Sequence, residues 1–244
     1  MRRLLLILAC TMLSASVMAE TDDFGIWASV GASKKLSKAW SVGGELEYRS
    51  KDDLRKTDRW SVGADVSYKI AKWLKADAGY ALLYNFNDSK TTYKNSGKPN
   101  KYTPSYWGIR HKIYASLTGT AEVGRFTFSL RERWQYKYRP EKTVDRWDYD
   151  EDEYEDKLVE SKAKNELRSR LQAEYDIAHS PLQPYASMEA YNAWNITRMR
   201  YTAGTSLKVN KHHSFDIYYR FQHDTDKDSN PNRHILGIGY KIKL

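Results

Sequence analysis

The chain has 244 residues, with 40 Lys and Arg against 31 Asp and Glu and a formal charge of +9. That length suits one domain, and its basic residues are scattered rather than gathered into a stripe with a nucleic-acid motif, so nucleic-acid binding is excluded. After residue 19 no apolar run approaches 18 residues, which excludes a helical membrane span but not a β-barrel, where only alternate residues face lipid.

The first residues read as a targeting segment. Arg2 and Arg3 make a positive start, Leu4 to Leu13 is apolar, and Val17-Met18-Ala19 offers a cleavage site. Residues 1–19 are expected to be a signal peptide and residues 20–244 a single outer-membrane β-barrel domain. Ile7-Leu8-Ala9-Cys10 resembles a lipoprotein processing site, but the apolar stretch before Cys10 is short, and a cut after Ala19 fits the signal pattern better. That cut leaves no cysteine and hence no disulfide.

Downstream, segments of about ten residues alternate apolar and polar, the period of a strand. Phe24 to Ser33 is the first. In Trp40 to Arg49, Trp40, Val42, Gly44, Leu46 and Tyr48 oppose Ser41, Gly43, Glu45, Glu47 and Arg49. Trp60 to Lys69 repeats this, with Trp60, Val62, Ala64, Val66 and Tyr68 on one face. In both, a Trp and a Tyr eight residues apart end the apolar row. Such a row is about 26 Å long, or about 20 Å along the normal of a tilted barrel, close to the apolar band of an outer-membrane barrel. Trp and Tyr favour its two interfaces.

Further rows follow in order. Leu74 to Phe86 alternates with few breaks, Ile109 to Leu117 carries one polar member, His111, and Phe126 to Tyr138 is interrupted by Glu132. Then come Leu167 to Tyr175, Tyr185 to Tyr191 behind Pro184, Met199 to Val209, and Phe215 to Phe221. Short turns near 34–38, 71–73, 119–124, 177–182 and 210–213 alternate with longer links near 50–57, 87–105, 140–162 and 224–232, the asymmetry of periplasmic turns and external loops. Eleven segments are countable. An even number is usual, so either Phe24 to Ser33 is not a full barrel strand or one is hidden, with 87–105 the expected place. The fold class is therefore all-β, a transmembrane antiparallel up-and-down β-barrel of 10–12 strands.

The last segment, Leu236, Ile238, Tyr240, Ile242 and Leu244 against Gly237, Gly239, Lys241 and Lys243, alternates to the final residue. It resembles the terminal strand by which outer-membrane barrels are recognised for assembly, although Leu244 stands where an aromatic residue is usual. Asp23-Phe24-Gly25-Ile26-Trp27, Arg131-Glu132-Arg133-Trp134-Gln135-Tyr136, Leu167-Arg168-Ser169-Arg170-Leu171 and Pro184-Tyr185-Ala186-Ser187-Met188-Glu189 extend the likeness over nearly all of residues 20–244. On these stretches the chain resembles an uncharacterised family of single-domain outer-membrane β-barrels of Gram-negative bacteria. The resemblance implies a barrel in the cell outer membrane and brings no activity or catalytic residue with it.

Three Arg-x-Arg pairs, Arg131 and Arg133, Arg168 and Arg170, and Arg198 and Arg200, share the inward phase with Arg220. Glu45, Glu47, Asp65, Asp77, Glu166, Glu174, Glu189 and Asp216 are the inward carboxylates. Arginine stays charged, so each needs a partner, a ligand or water. Two readings follow: a closed ion-pair network filling the lumen, or an arginine ladder for anionic solutes. The expected role is a structural barrel or narrow solute channel with an arginine-rich lumen. The rival is a barrel hydrolase of lipid or peptide, with His223, Asp224 and Asp226 at the external rim. A third reading is a soluble β-barrel or sandwich. No cofactor or metal motif is visible; the acidic run Asp148 to Asp156 lacks the order and glycine of a calcium loop. Expected partners are outer-membrane lipids and, through the last strand, the barrel-assembly machinery, with the oligomeric state open.

Overall fold

The computed structural model describes residues 22–225 and 232–244. The signal-peptide segment and Asp226 lie outside the described residues.

Period-two alternation forms long strands because one face of each rests against a different medium from the other. The barrel strands are β1 (Asp23–Lys35), β2 (Trp40–Lys51), β3 (Lys56–Lys69) and β4 (Leu74–Asn87), then β7 (Tyr106–Val123), β8 (Phe126–Arg139), β11 (Lys162–Tyr175), β12 (Leu182–Ala193), β13 (Asn195–Lys208), β14 (His213–Asp224) and β15 (Arg233–Lys243). They close into one barrel, each pairing antiparallel with its neighbours except at the seam. Closure leaves no unpaired edge, so the backbone polar groups are met within the wall.

The seam corrects the expectation of an even strand number. The barrel has eleven strands, and β1 pairs β15 in parallel from Asp23↔Arg233 to Ser33↔Lys243. An odd count makes the first and last strands run the same way, so only a parallel pairing can close it. Phe24 to Ser33 is a full barrel strand. The segment 87–105 does hold two strands, but they lie outside the barrel. There β5 (Lys90–Tyr93) and β6 (Pro99–Thr103) join β9 (Lys142–Asp148) and β10 (Glu153–Val159) in a four-stranded sheet ordered β10-β9-β6-β5. The two longest links thus fold onto each other as a canopy over one end.

Connections at the other end are short. Ser37 Oγ accepts the Trp40 N–H at 3.0 Å in the β1–β2 turn. Gly124, at φ +62°, opens the two-residue β7–β8 hairpin, where a side chain would be strained.

The outer wall is apolar. Leu46, Val62, Ile113, Leu130, Leu171 and Ile217 are all exposed on it. Trp40 pairs across strands with Tyr68 and Tyr48 with Trp60, ring centroids 4.6 and 4.7 Å apart, so the two ends of this wall carry matched aromatic pairs. Trp27 faces the other way and is buried in the lumen. Most of the buried residues of this fold lie in the barrel strands, and Lys51, Glu166, Glu189 and Arg200 among them are charged.

A candidate anion site in the barrel lumen

The lumen has a waist built on Glu189. Its carboxylate accepts from Arg131 Nη2 at 2.7 Å and from Arg168 Nη2 at 2.9 and 2.8 Å, with Arg200 Nη1 at 3.8 Å. Arg200 also donates to Gln222 Oε1 at 2.9 Å and to the Tyr191 hydroxyl. Guanidinium groups stack on the aromatic rings here. Arg49, Arg200 and Arg220 lie 3.4, 4.9 and 5.0 Å from the Trp27 centroid, and Arg168 and Arg200 lie 4.6 and 4.8 Å from that of Tyr191. Trp27, Tyr191, Glu189 and Arg200 are 4%, 2%, 6% and 6% exposed, so the waist is closely packed. Glycine makes room for it: a Cβ at Gly237 would fall 1.9 Å from a Tyr218 ring carbon.

On the canopy side of the waist, strand register sets like charges side by side. Lys137 stands opposite both Lys112 on β7 and Lys164 on β11. One step further out, Arg139 stands opposite Lys162, and the same β7–β8 register places Arg110 on its other side. Two rows of three cations therefore cross β7, β8 and β11. Glu166 is the one carboxylate that forms ion pairs with them among the described residues, meeting Lys137 and Lys164 at 2.7 Å each. Arg110 has the amide oxygen of Asn87 at 3.2 Å, and Arg139 the backbone carbonyl of Glu160 at 2.9 Å. Below, Arg133 lies over the Tyr114 ring at 4.2 Å. Among the described residues none of Arg110, Lys112, Arg133, Arg139, Lys162 and Arg170 forms an ion pair. The Nε atoms of Arg133, Arg139 and Arg170 are buried without a partner. Like charges facing each other across strands destabilise a sheet, and buried donors left unmet cost more.

Five of these six cations, all but Lys112, line a cup of about 460 Å³ at the canopy end, with Trp27 and Arg200 among its lining residues. Ten arginines and lysines line it against three carboxylates, Asp58, Glu166 and Asp224. A smaller recess of about 290 Å³ at the short-turn mouth is also basic, lined by Lys35, Lys38, Lys69, Lys72 and Lys75.

The other site residues expected from the sequence are dispersed. Glu47 joins Arg49 at 2.7 Å and Arg59 at 2.9 Å. Asp216 accepts from Tyr185 at 3.0 Å and Ser206 at 2.9 Å, Glu174 from Gln172 at 2.5 Å, and Asp77 pairs with Lys75 at 2.8 Å. Arg198 pairs with Asp224, and Arg220 donates to Thr202 Oγ1 at 2.9 Å. Glu45 has no ion pair among the described residues, and Asp65 packs against Gly43. The rim pair proposed for hydrolysis is not assembled. His223 Nδ1 meets Asn232 Oδ1 at 2.7 Å, whereas Asp224, one residue on and thus on the opposite face of the strand, is held by Arg198. In the acidic run, Asp148 and Glu155 both meet Lys101, at 2.9 and 2.6 Å, and Glu155 also meets Arg146 at 2.7 Å. Among the described residues no three His, Cys, Asp or Glu side chains are grouped to hold a metal ion.

Sequence reasoning named Arg131, Arg133, Arg168 and Arg170 but missed Arg110, Lys112, Lys137, Arg139, Lys162 and Lys164. Their signal was the same alternation carried past the apolar rows towards the long links.

Residues 24–233 match a family described as "Protein of unknown function (DUF2490)". No curated protein matches the chain. Among solved structures, the β domain of the Bordetella autotransporter BrkA is similar, with TM-score 0.57, 15% identity, and coverage of 84% of this chain and 82% of that one. The CymD monoaromatic hydrocarbon channel aligns at TM-score 0.42 and 8% identity over 79% of this chain and 66% of its own. The BrkA likeness is one of fold, that of an outer-membrane barrel domain.

Proposed function

The chain belongs to the DUF2490 family, and we propose that it is an outer-membrane barrel that admits anions through a cation-lined lumen narrowed at the waist. The observation that carries this reading is the two cation rows on β7, β8 and β11, six charges that share one carboxylate, Glu166, in ion pairs among the described residues. A purely structural lumen would gain by pairing or removing those charges, whereas a passing anion supplies the missing partner. The recess at the opposite mouth is also basic. Lipids meet the apolar outer wall, and the assembly machinery meets β15. The canopy end faces outward, as the longer connections of such barrels do.

Planar-bilayer recording on refolded protein under a KCl gradient tests this. The expected reversal potential shows chloride preferred over potassium, and the double variant Lys112→Glu, Lys137→Glu reduces that preference. A silent bilayer, or a cation-selective pore, would reject the reading.

A further inference from the structure

We propose that the cup beneath the canopy binds a short acidic oligosaccharide with a carboxylate on each sugar ring. This rests on the anion reading above and specifies its ligand. Three observations carry it.

The first is the spacing of the free charge. Neighbouring strands lie about 4.8 Å apart, and inward residues on one strand recur about every 6.6 Å. The rows Arg110, Arg139, Lys162 and Lys112, Lys137, Lys164 therefore form a lattice of separated single charges. Carboxylates held apart by a sugar ring match such a lattice. Condensed phosphates crowd their charge onto adjacent atoms and would engage only part of it. Arginine's planar fork can grip each carboxylate by two hydrogen bonds, and the Nε of Arg139 is buried and unpartnered.

The second is Asn85. Its Oδ1 is buried with no hydrogen-bond partner, and Asn85 lines the cup beside Arg59 and Arg110. That atom is an acceptor. Chloride and a bare carboxylate cannot donate to it, but a sugar hydroxyl can. A site that mixes free cations with an orphan acceptor asks for a ligand bearing both negative charge and hydroxyl donors.

The third is size. A cup of about 460 Å³ falls within the range of sites that enclose small ligands, large enough for a di- or trisaccharide and far too small for a coiled polymer. The narrow waist beneath it holds such a ligand at the canopy end.

Titration calorimetry on the refolded full-length barrel in detergent decides the matter, with a tri-uronate, its monomer, a neutral trisaccharide and tripolyphosphate as probes. The expected result is a tri-uronate Kd about tenfold or more below those of the monomer and of tripolyphosphate, with no heat from the neutral sugar. Asn85→Leu is expected to weaken tri-uronate binding about tenfold while weakening tripolyphosphate binding much less. Arg110→Gln with Lys162→Gln, at the outer edge of the cup, weakens both and is checked for folding by its heat-modifiable gel mobility. Tripolyphosphate binding as tight as tri-uronate, binding independent of uronate length, or no binding at all would overturn the oligosaccharide. Each can occur with chloride selectivity intact, whereas loss of that selectivity removes the reading beneath it.

Discussion

Replacing Glu189 by Gln should loosen the waist, and the size of the effect follows from what the carboxylate holds. Two guanidinium groups donate to it within 2.9 Å and a third lies at 3.8 Å. Glu189 and Arg200 are nearly inaccessible, so the variant leaves three cations crowded in a site with little water to solvate them. Removing one partner of a buried ion pair costs about 3–5 kcal/mol. With a urea slope of about 2 kcal/mol per molar, the unfolding midpoint in lipid vesicles should fall by roughly 2 M. Glu45→Gln, which breaks no ion pair among the described residues, should move it by no more than about 0.5 kcal/mol. The same Glu189 variant should raise single-channel conductance, because Arg200 no longer has a counter-charge holding it across the lumen. A loss below about 1 kcal/mol, with conductance unchanged, would mean that water already solvates these arginines and that the waist is not a packed plug.

Three further outcomes are expected. Gly237→Ala puts a methyl group into the Tyr218 ring and should destabilise the barrel by about 1–3 kcal/mol; a double-mutant cycle with Tyr218→Ala should recover part of the loss, and simple additivity would refute the contact. Glu132 lies on the apolar wall, midway along a row from Phe126 to Tyr138, with the Ser169 hydroxyl at 2.7 Å. Its replacement by Leu should stabilise the barrel in vesicles by about 1 kcal/mol, since a carboxyl facing lipid at mid-depth costs more than that one hydrogen bond returns; a loss of stability would show that the carboxyl has a partner in the membrane. In the canopy, the backbone N–H of Asp150 and then Lys101 hold the Asp148 carboxyl below its ordinary range, and Lys101 and then Arg146 do the same for Glu155. Carboxyls lowered on folding stabilise above their unfolded values and lose that contribution as pH falls through the folded ones. Amide exchange in β9 and β10 should therefore stay slow at neutral pH and quicken below about pH 4, ahead of the barrel amides.

Strand positions were legible because lipid or lumen on either side of a wall writes a period of two into each segment. Trp40 to Tyr48 and Trp60 to Tyr68 even locate both ends of the wall. The parallel seam was not legible, because Phe24 to Ser33 and Leu236 to Leu244 lie at opposite ends of the chain and nothing local in either says how the ring closes. Nor was the canopy: β5 and β6 span four and five residues, rich in lysine and threonine, and they read as polar loop until β9 and β10 give them a surface to pair with.

The site shows the same limit more sharply. Arg131 and Arg139 are residues of one type on one face of one strand, and alternation treats them alike. Register separates them: Arg131 reaches Glu189 two strands away, while Arg139 is set opposite Lys162 and finds only a backbone carbonyl. Arginine at the waist is neutralised and stacked, and its work is to narrow the lumen. In the cup, Arg110, Arg139 and Lys162 stand without a carboxylate partner among the described residues, and that separation costs folding energy the chain had ready means to avoid. A charge pattern kept at such a cost is best explained by a ligand, which is why the under-neutralised rows, rather than the larger number of arginines in the lumen, bear the functional argument.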